Sequence, residues 1–77
     1  MKKDNSRHRL SYQKIGANIR HLRELKHLSQ EELAFQIQSA RNYIGCIERG
    51  EKFPSLAILL DITQVLGCKL KDLFENV

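Results

Sequence analysis

The 77-residue sequence has two cysteines, one proline, no tryptophan and no long hydrophobic run. Cys46 and Cys68 are far apart and lack CxxC spacing, which argues against a disulfide framework or a zinc site. The longest apolar run, Leu56 to Leu60, is far too short to span a bilayer. No hydrophobic segment follows Met1-Lys2-Lys3, as a secretory signal would require. We therefore expect a cytoplasmic protein with no membrane partner.

The sequence also lacks a catalytic constellation. Its three histidines, His8, His21 and His27, include no pair at metal-ligand spacing. No arrangement of serine, cysteine or aspartate resembles a nucleophile with its base and orienting partner. No glycine-rich phosphate loop is present. We therefore expect no enzymatic activity, no metal site, no cofactor and no small-molecule ligand.

The charge of the chain is unbalanced in the basic direction. Thirteen lysines and arginines against nine acidic residues give a net charge of +4 and a pI near 9.3. A hydrophobic content of 42% indicates one small globular domain near the lower size limit for a single core. The positive charge favours an anionic partner, which composition alone leaves open as nucleic acid, an acidic protein or a membrane surface.

The stretch Ser29–Gly50, SQEELAFQIQSARNYIGCIERG, predicts two short helices separated by a polar break. Ser29 and Glu32 have the spacing of a capping box, and Gly50 suits the left-handed conformation that closes a helix. Two apolar stripes at helical spacing accompany these signals: Leu33, Ala34 and Ile37, then Ala40, Ile44 and Ile47. The stretch therefore has the outline of a helix-turn-helix.

The second of these helices has a polar face opposite its apolar stripe. At about 100° per residue, the opposite side carries Asn42, Gly45, Cys46 and Arg49, with Arg41 and Tyr43 on its flanks. Arginine, asparagine and tyrosine side chains suit base edges and phosphates. A solvated helix face without a partner fits the same pattern.

The remaining segments predict three further helices. The first runs from Ser11 or Tyr12 to about Lys26, the fourth begins after an N-cap at Ser55 and ends at Gly67, and a fifth follows. Their apolar positions are Ile15, Ile19, Leu22, Leu56, Ile58, Leu59, Leu60, Ile62, Thr63, Val65, Leu66, Leu70, Leu73 and Phe74. The sequence thus predicts an all-α, compact bundle of five short helices over residues 11–77.

Residues 1–10 are basic and have no apolar period, so they predict a flexible N-terminal arm. A plain disordered terminus fits this pattern, and so does an arm that follows phosphates or enters the minor groove.

Several motifs in register resemble one known family. SQEELA, Arg41, Tyr43-Ile44, Ile47-Glu48-Arg49-Gly50, Pro54-Ser55-Leu56 and Leu73-Phe74 are similar to the phage-repressor (Cro/C1, XRE-type) helix-turn-helix domain. The resemblance extends from about Ile15 to Glu75 without gaps, and it implies a lambda-repressor-like fold. The string Arg-x-Tyr-Ile-x-x-Ile-Glu-Arg looks most like the controller proteins of restriction–modification systems, and phage repressors share much of it.

The resemblance also implies a function. The third helix, about residues 40–49, would lie in the major groove of double-stranded DNA, with Gln30, Arg41, Asn42 and Cys46 at DNA-contacting positions. From their side chains, we expect Tyr43 to donate to a phosphate and Arg49 or Lys52 to hold the DNA backbone. A two-fold homodimer on a near-palindromic operator would act as a transcriptional regulator, with repression the expected outcome.

The family pattern implies a structural ion pair between Arg23 and Glu48. It also places glycines where this chain has His27 and Gln38, and a serine or threonine cap where it has Ala40, so Ser39 is an alternative cap. Excess apolar surface at Leu70, Phe74 and Val77 suggests a dimer interface.

An alternative function of a different class is a protein-interaction scaffold. Such a protein would keep the fold but bind DNA weakly or without specificity, for example as a partner-binding or antitoxin-like module. Ala40, Gly45 and Cys46 favour this alternative, because they are unusual residues for a DNA-contacting helix.

Overall fold

The computed structural model describes residues 5–77, which form a 3-10 turn followed by five α-helices and no strand. The 3-10 turn is Asn5–His8, and the helices are α1 Arg9–Leu25, α2 Gln30–Gln36, α3 Arg41–Glu48, α4 Leu56–Leu66 and α5 Leu70–Leu73. The predicted all-α bundle is confirmed, with α2 and α3 as its helix-turn-helix.

The predicted helix-end signals are present at three places. Ser29 Oγ accepts from the Glu32 amide at 2.9 Å, and Glu32 Oε1 accepts from the Ser29 amide at 2.7 Å, which completes the capping box of α2. Ser55 Oγ accepts from the Ile58 amide at the start of α4. Gly67 ends α4 in the left-handed conformation. Local sequence alone therefore places these helix ends.

Helix α1 begins at Arg9, earlier than the expected start at Ser11 or Tyr12. Within the predicted arm, Asn5–His8 is a 3-10 turn and the two residues after it are helical, which corrects the boundary expected at residue 10. The first turn is held by tertiary contact, because the Tyr12 ring stacks on Phe53 with centroids 4.8 Å apart. Residues 1–4 lie outside the described part of the chain, and the arm's contact with DNA stays a prediction.

The core receives side chains from all five α-helices. Its buried hydrophobic members are Ile15, Ile19, Leu33, Ala34, Ile37, Ile44, Ile47, Leu59, Ile62, Leu66 and Leu73. Four residues assigned to apolar positions lie outside it: Ala40, Leu56, Leu60 and Phe74 are exposed. Ala40 is the N-cap of α3, so it precedes the helical stripe, and the apolar face of α4 is wider than the core it contacts.

The two turns of the helix-turn-helix region contain non-glycine residues in the left-handed conformation. His27 has φ 60° and Gln38 has φ 58°, at the positions where the family pattern has glycine. The backbone therefore keeps a geometry that glycine would adopt with less strain. Helix α3 begins without a side-chain cap at Ala40, so the alternative that Ser39 serves as its cap is wrong.

Gly16 allows α1 and α3 to approach closely. A Cβ at this position would lie 2.6 Å from the backbone oxygen of Glu48 and would also overlap that of Ile47. Sequence reasoning missed this residue, although a glycine beside Ile15 in a buried stripe is a signal of close helix packing. The backbone at the end of α3 thus rests directly on α1.

A buried ion pair joins α1 to the end of α3. Arg23 Nε donates to Glu48 Oε2 at 2.7 Å and Nη2 donates to Oε1 at 3.0 Å, with side chains only 8% and 3% exposed. Arg23 Nη1 also donates to the Leu28 carbonyl at 2.6 Å, in the turn before α2. The hydrogen bond to Glu48 raises the pKa of Arg23 despite the opposing effect of burial. One guanidinium therefore connects α1, the following turn and α3.

We expect Arg23→Ala and Glu48→Ala each to lower the free energy of unfolding by about 3–5 kcal/mol, because each strands a buried charge. The double variant should lose far less than the sum of the two. Urea titration at low temperature, with sucrose added to keep the variants folded, measures the three values.

The exposed pair Arg20–Glu24 on the same helix is the matched control, since its side chains are 64% and 54% exposed. Its coupling energy should be about 0.3–0.5 kcal/mol. A coupling between Arg23 and Glu48 as small as the control's would contradict the assigned role of the buried pair.

We expect Gln38→Gly to raise the free energy of unfolding by about 0.5–1 kcal/mol. Relief of left-handed strain, roughly 1–2 kcal/mol, exceeds the added entropy of the unfolded chain. Gln36→Gly, two residues earlier and inside α2, should instead destabilise by about 1 kcal/mol. Thermal unfolding of both variants checks the prediction, and it fails if both shift the midpoint downward.

Candidate nucleic-acid interface

Five of the seven predicted contact residues come together in one open concavity between the start of α2 and the outer face of α3, and Tyr43 and Lys52 do not line it. It has a volume of about 320 Å³ and is lined by Gln30, Arg41, Asn42, Gly45, Cys46 and Arg49. Helix α3 presents this side because Ile44 and Ile47, on its other side, are almost fully buried in the core. The structure thus gathers residues of two helices that are separate in the sequence.

Arg41 and Asn42 are both exposed in the first turn of α3. Their side chains are therefore not packed inside the domain. Burial there would have excluded both residues as DNA contacts. Arg41 offers a rigid fork of donors, and Asn42 offers an amide with both a donor and an acceptor. These groups can bond to two atoms of one base edge.

Gln30 is half-buried and is held by the ion pair beneath it. Its Nε2 donates to Glu48 Oε1 at 3.0 Å. Because an ionised carboxylate only accepts hydrogen bonds, this contact fixes which end of the amide faces inward. The Gln30 Oε1 is then available as an acceptor, so Arg23 and Glu48 orient a residue of the site as well as joining helices.

Gly45 lies on the outer face of α3 but is buried beneath other side chains. A Cβ there would be 3.1 Å from Arg49 Nη1 and 3.7 Å from Gln30 Oε1. The open side of this glycine therefore faces other side chains of the protein. The space it leaves is occupied by the ends of Arg49 and Gln30.

Arg49 is paired with a residue that sequence reasoning missed. Its Nε donates to Glu51 Oε2 at 2.8 Å and its Nη2 donates to Oε1 at 3.2 Å. Through these hydrogen bonds the pKa of Arg49 is raised and the pKa of Glu51 is lowered. The available signal was an acidic residue two positions after Arg49, across Gly50, which has φ 79°. Lys52 is exposed and takes part in none of the ion pairs among residues 5–77.

The other predicted residues have mixed positions. Tyr43 is half-buried and packs against the core, and Cys46 is half-buried with its Sγ 3.7 Å from Arg49 Nη2. Leu70 is half-buried against the core, whereas Phe74 and Val77 are exposed at the end of the chain, away from the concavity.

Among the described residues there is no cluster of potential metal ligands, and no helix is long and apolar enough to cross a membrane.

Comparison with known proteins gives the same family by three routes. The family model described as Helix-turn-helix (HTH_3) matches residues 19–73. Control protein C.BamHI of Bacillus amyloliquefaciens is 41% identical over 62 residues, covering 79% of this chain and 76% of that protein. Control protein C.MunI of Mycoplasma sp is 38% identical, covering 83% of this chain and 88% of that protein.

Solved structures agree with these sequence matches. The restriction-modification controller protein C.AhdI from Aeromonas hydrophila superposes with a TM-score of 0.81 at 38% identity, covering 84% of this chain and 98% of that one. The clp gene regulator ClgR from Corynebacterium glutamicum superposes with a TM-score of 0.78 at 29% identity, covering 80% and 66%. The resemblance based on sequence motifs is confirmed, and the chain belongs to the HTH_3 helix-turn-helix family of DNA-binding transcriptional regulators.

Proposed function

We propose that this protein binds a near-palindromic operator as a two-fold homodimer and places α3 of each copy in the major groove. The observation that carries the proposal is the exposure of Arg41 and Asn42 beside Gln30 in one concavity. Arg41 suits O6 and N7 of guanine, and Asn42 suits N6 and N7 of adenine. Lys52, and Tyr43 through its hydroxyl, would hold phosphates at the edge of this surface.

Similarity to controller proteins favours a role in controlling restriction–modification genes. C.AhdI is described as a restriction-modification controller protein, and the chain covers almost all of it. Repression is the expected outcome for an operator that overlaps a promoter, and activation is expected where the operator lies upstream of the polymerase.

Dimer formation is supported by the need for specificity and by exposed apolar surface. A single domain of this size contacts few bases, whereas two copies related by a two-fold axis read two half-sites. Phe74 is 39% exposed and Val77 is 51% exposed, next to the half-buried Leu70. Pairing these residues with their copies across a two-fold axis would cover them.

A second candidate function is partner binding through α2. Phe35 is 83% exposed and, with Leu28, lines an open concavity that also includes Glu31 and Glu32. Such a surface fits the scaffold alternative. Titration of fragmented genomic DNA at moderate salt separates the two functions, because a scaffold would lose DNA binding near physiological salt and select no sequence.

We expect Arg41→Ala to weaken binding to the preferred site by about 1–3 kcal/mol and to relax preference at one base step, because it removes a two-point contact with a base. Lys52→Ala should weaken binding to all sequences about equally and reduce the salt slope by about 0.9, because it removes one phosphate contact. Selection from a random DNA pool and binding titrations at several salt concentrations measure both effects. The same base preference and the same salt slope for the two variants would overturn these roles.

We expect Phe74→Glu to raise the dimer dissociation constant by at least tenfold, since it places like charges across the proposed two-fold axis. Sedimentation equilibrium measures the change. Phe35→Glu is the control, because Phe35 is more exposed and belongs to another surface. If the control weakens the dimer and Phe74→Glu does not, the interface has been assigned to the wrong surface.

A further inference from the structure

Arg49 does not extend away from α3 but folds back along it. Its Nη1 lies 3.1 Å from the position that a Cβ of Gly45 would occupy, one helical turn earlier. Its Nη2 is 3.7 Å from Cys46 Sγ, and the side chain lines the same concavity as Arg41 and Asn42. The guanidinium therefore lies among the candidate base contacts.

The hydrogen bonds of Arg49 occupy one edge of its guanidinium with strong acceptors and leave the other edge only weakly paired. Glu51 accepts from Nε–H and from one N–H of Nη2, and Nη2 also donates to the weakly accepting Sγ of Cys46 at 3.7 Å. None of these hydrogen bonds uses Nη1. A guanine edge that displaces the weak contact with Cys46 Sγ would meet Nη1 and Nη2 as a pair of parallel donors, which is the arrangement that binds O6 and N7 of guanine.

The charge of Glu51 separates a base contact from a phosphate contact. Its carboxylate oxygens lie 2.8 Å and 3.2 Å from the guanidinium nitrogens, so the Arg49–Glu51 pair has no net charge. A phosphate brought to this pair would be repelled by the carboxylate at close range. A guanine edge carries no net charge and presents two acceptors, so it meets the donors without that repulsion.

We infer that Arg49 is a second base-reading side chain, selective for guanine, and that Glu51 and Gly45 are the positioning residues that aim it. This inference rests on the proposed function and replaces the expectation that Arg49 holds the DNA backbone. Glu51 fixes one edge of the guanidinium, and Gly45 leaves the space in which the other edge lies. Glycine has a lower helix propensity than alanine, but at this position it leaves room for the Arg49 guanidinium.

The test is selection from a random DNA pool, combined with salt titration, for the full chain and six variants. Arg49→Lys keeps the charge but removes the fork, so preference for guanine at one base pair per half-site should fall at least tenfold with little change in salt slope. Gly45→Ala should partly relax the same base pair, because a methyl 3.1 Å from Nη1 forces the guanidinium to shift by a few tenths of an ångström. Glu51→Gln should relax it too, while raising affinity for DNA of any sequence and steepening the salt slope.

The matched control is Glu24→Gln, which removes a carboxylate from another exposed arginine pair, Arg20–Glu24 on α1. It should leave base preference unchanged. The inference is overturned if Arg49→Lys and Glu51→Gln keep the wild-type base preference, or if Arg49→Ala only lowers the salt slope by about 0.9.

Arg41→Ala distinguishes failure of this inference from failure of the proposed function. If the wild-type protein selects a site and Arg41→Ala relaxes it, while the Arg49 variants do not, only the inference fails. If the wild-type protein selects no sequence, the proposed function fails and the inference with it.

Discussion

The buried contact between Arg23 and Glu48 is the interaction on which the rest of the structure depends. It connects α1 to the end of α3 and, through the Leu28 carbonyl, to the turn before α2. A charge pair in this position is tolerated because each carboxylate oxygen and each guanidinium nitrogen has a partner. Glu48 Oε1 also accepts a hydrogen bond from Nε2 of the half-buried Gln30. The contact that stabilises the domain therefore also orients part of the candidate DNA interface.

Helix α3 is intrinsically weak and is held in place by its surroundings. It has eight residues, no side-chain N-cap and a glycine in its middle. A segment of this length does not form a stable helix by itself in water. Helix α3 is stabilised instead by the burial of Ile44 and Ile47 and by the close contact of its last turn with Gly16. This division leaves the outer face free to carry residues chosen for contacts rather than for helix stability.

The net charge of the chain does not show how individual charges are placed on that outer face. Arg41 is exposed at one end of the concavity, whereas Arg49 is neutralised by Glu51 at the other. Arg41 in α3 and Arg49 at its C-cap would thus differ in what they bind, because the Glu51 carboxylate beside Arg49 disfavours phosphate. Lys52, just beyond, is exposed and is the residue that we propose for a contact with the DNA backbone. With the proposed roles, this placement of charges would separate base contacts from phosphate contacts within a few residues.

The sequence by itself determined the family, the number and order of the helices, and the ends marked by Ser29, Ser55 and Gly67, because periodicity and capping act over a few neighbouring residues. It also indicated left-handed turns at His27 and Gln38 through the family pattern. Only the tertiary structure decided the start of α1, the close approach at Gly16, and the direction of Arg49. Those features depend on contacts between segments distant in the sequence, or on which of several partners a flexible side chain takes, and neither leaves a periodic signal in the residues themselves.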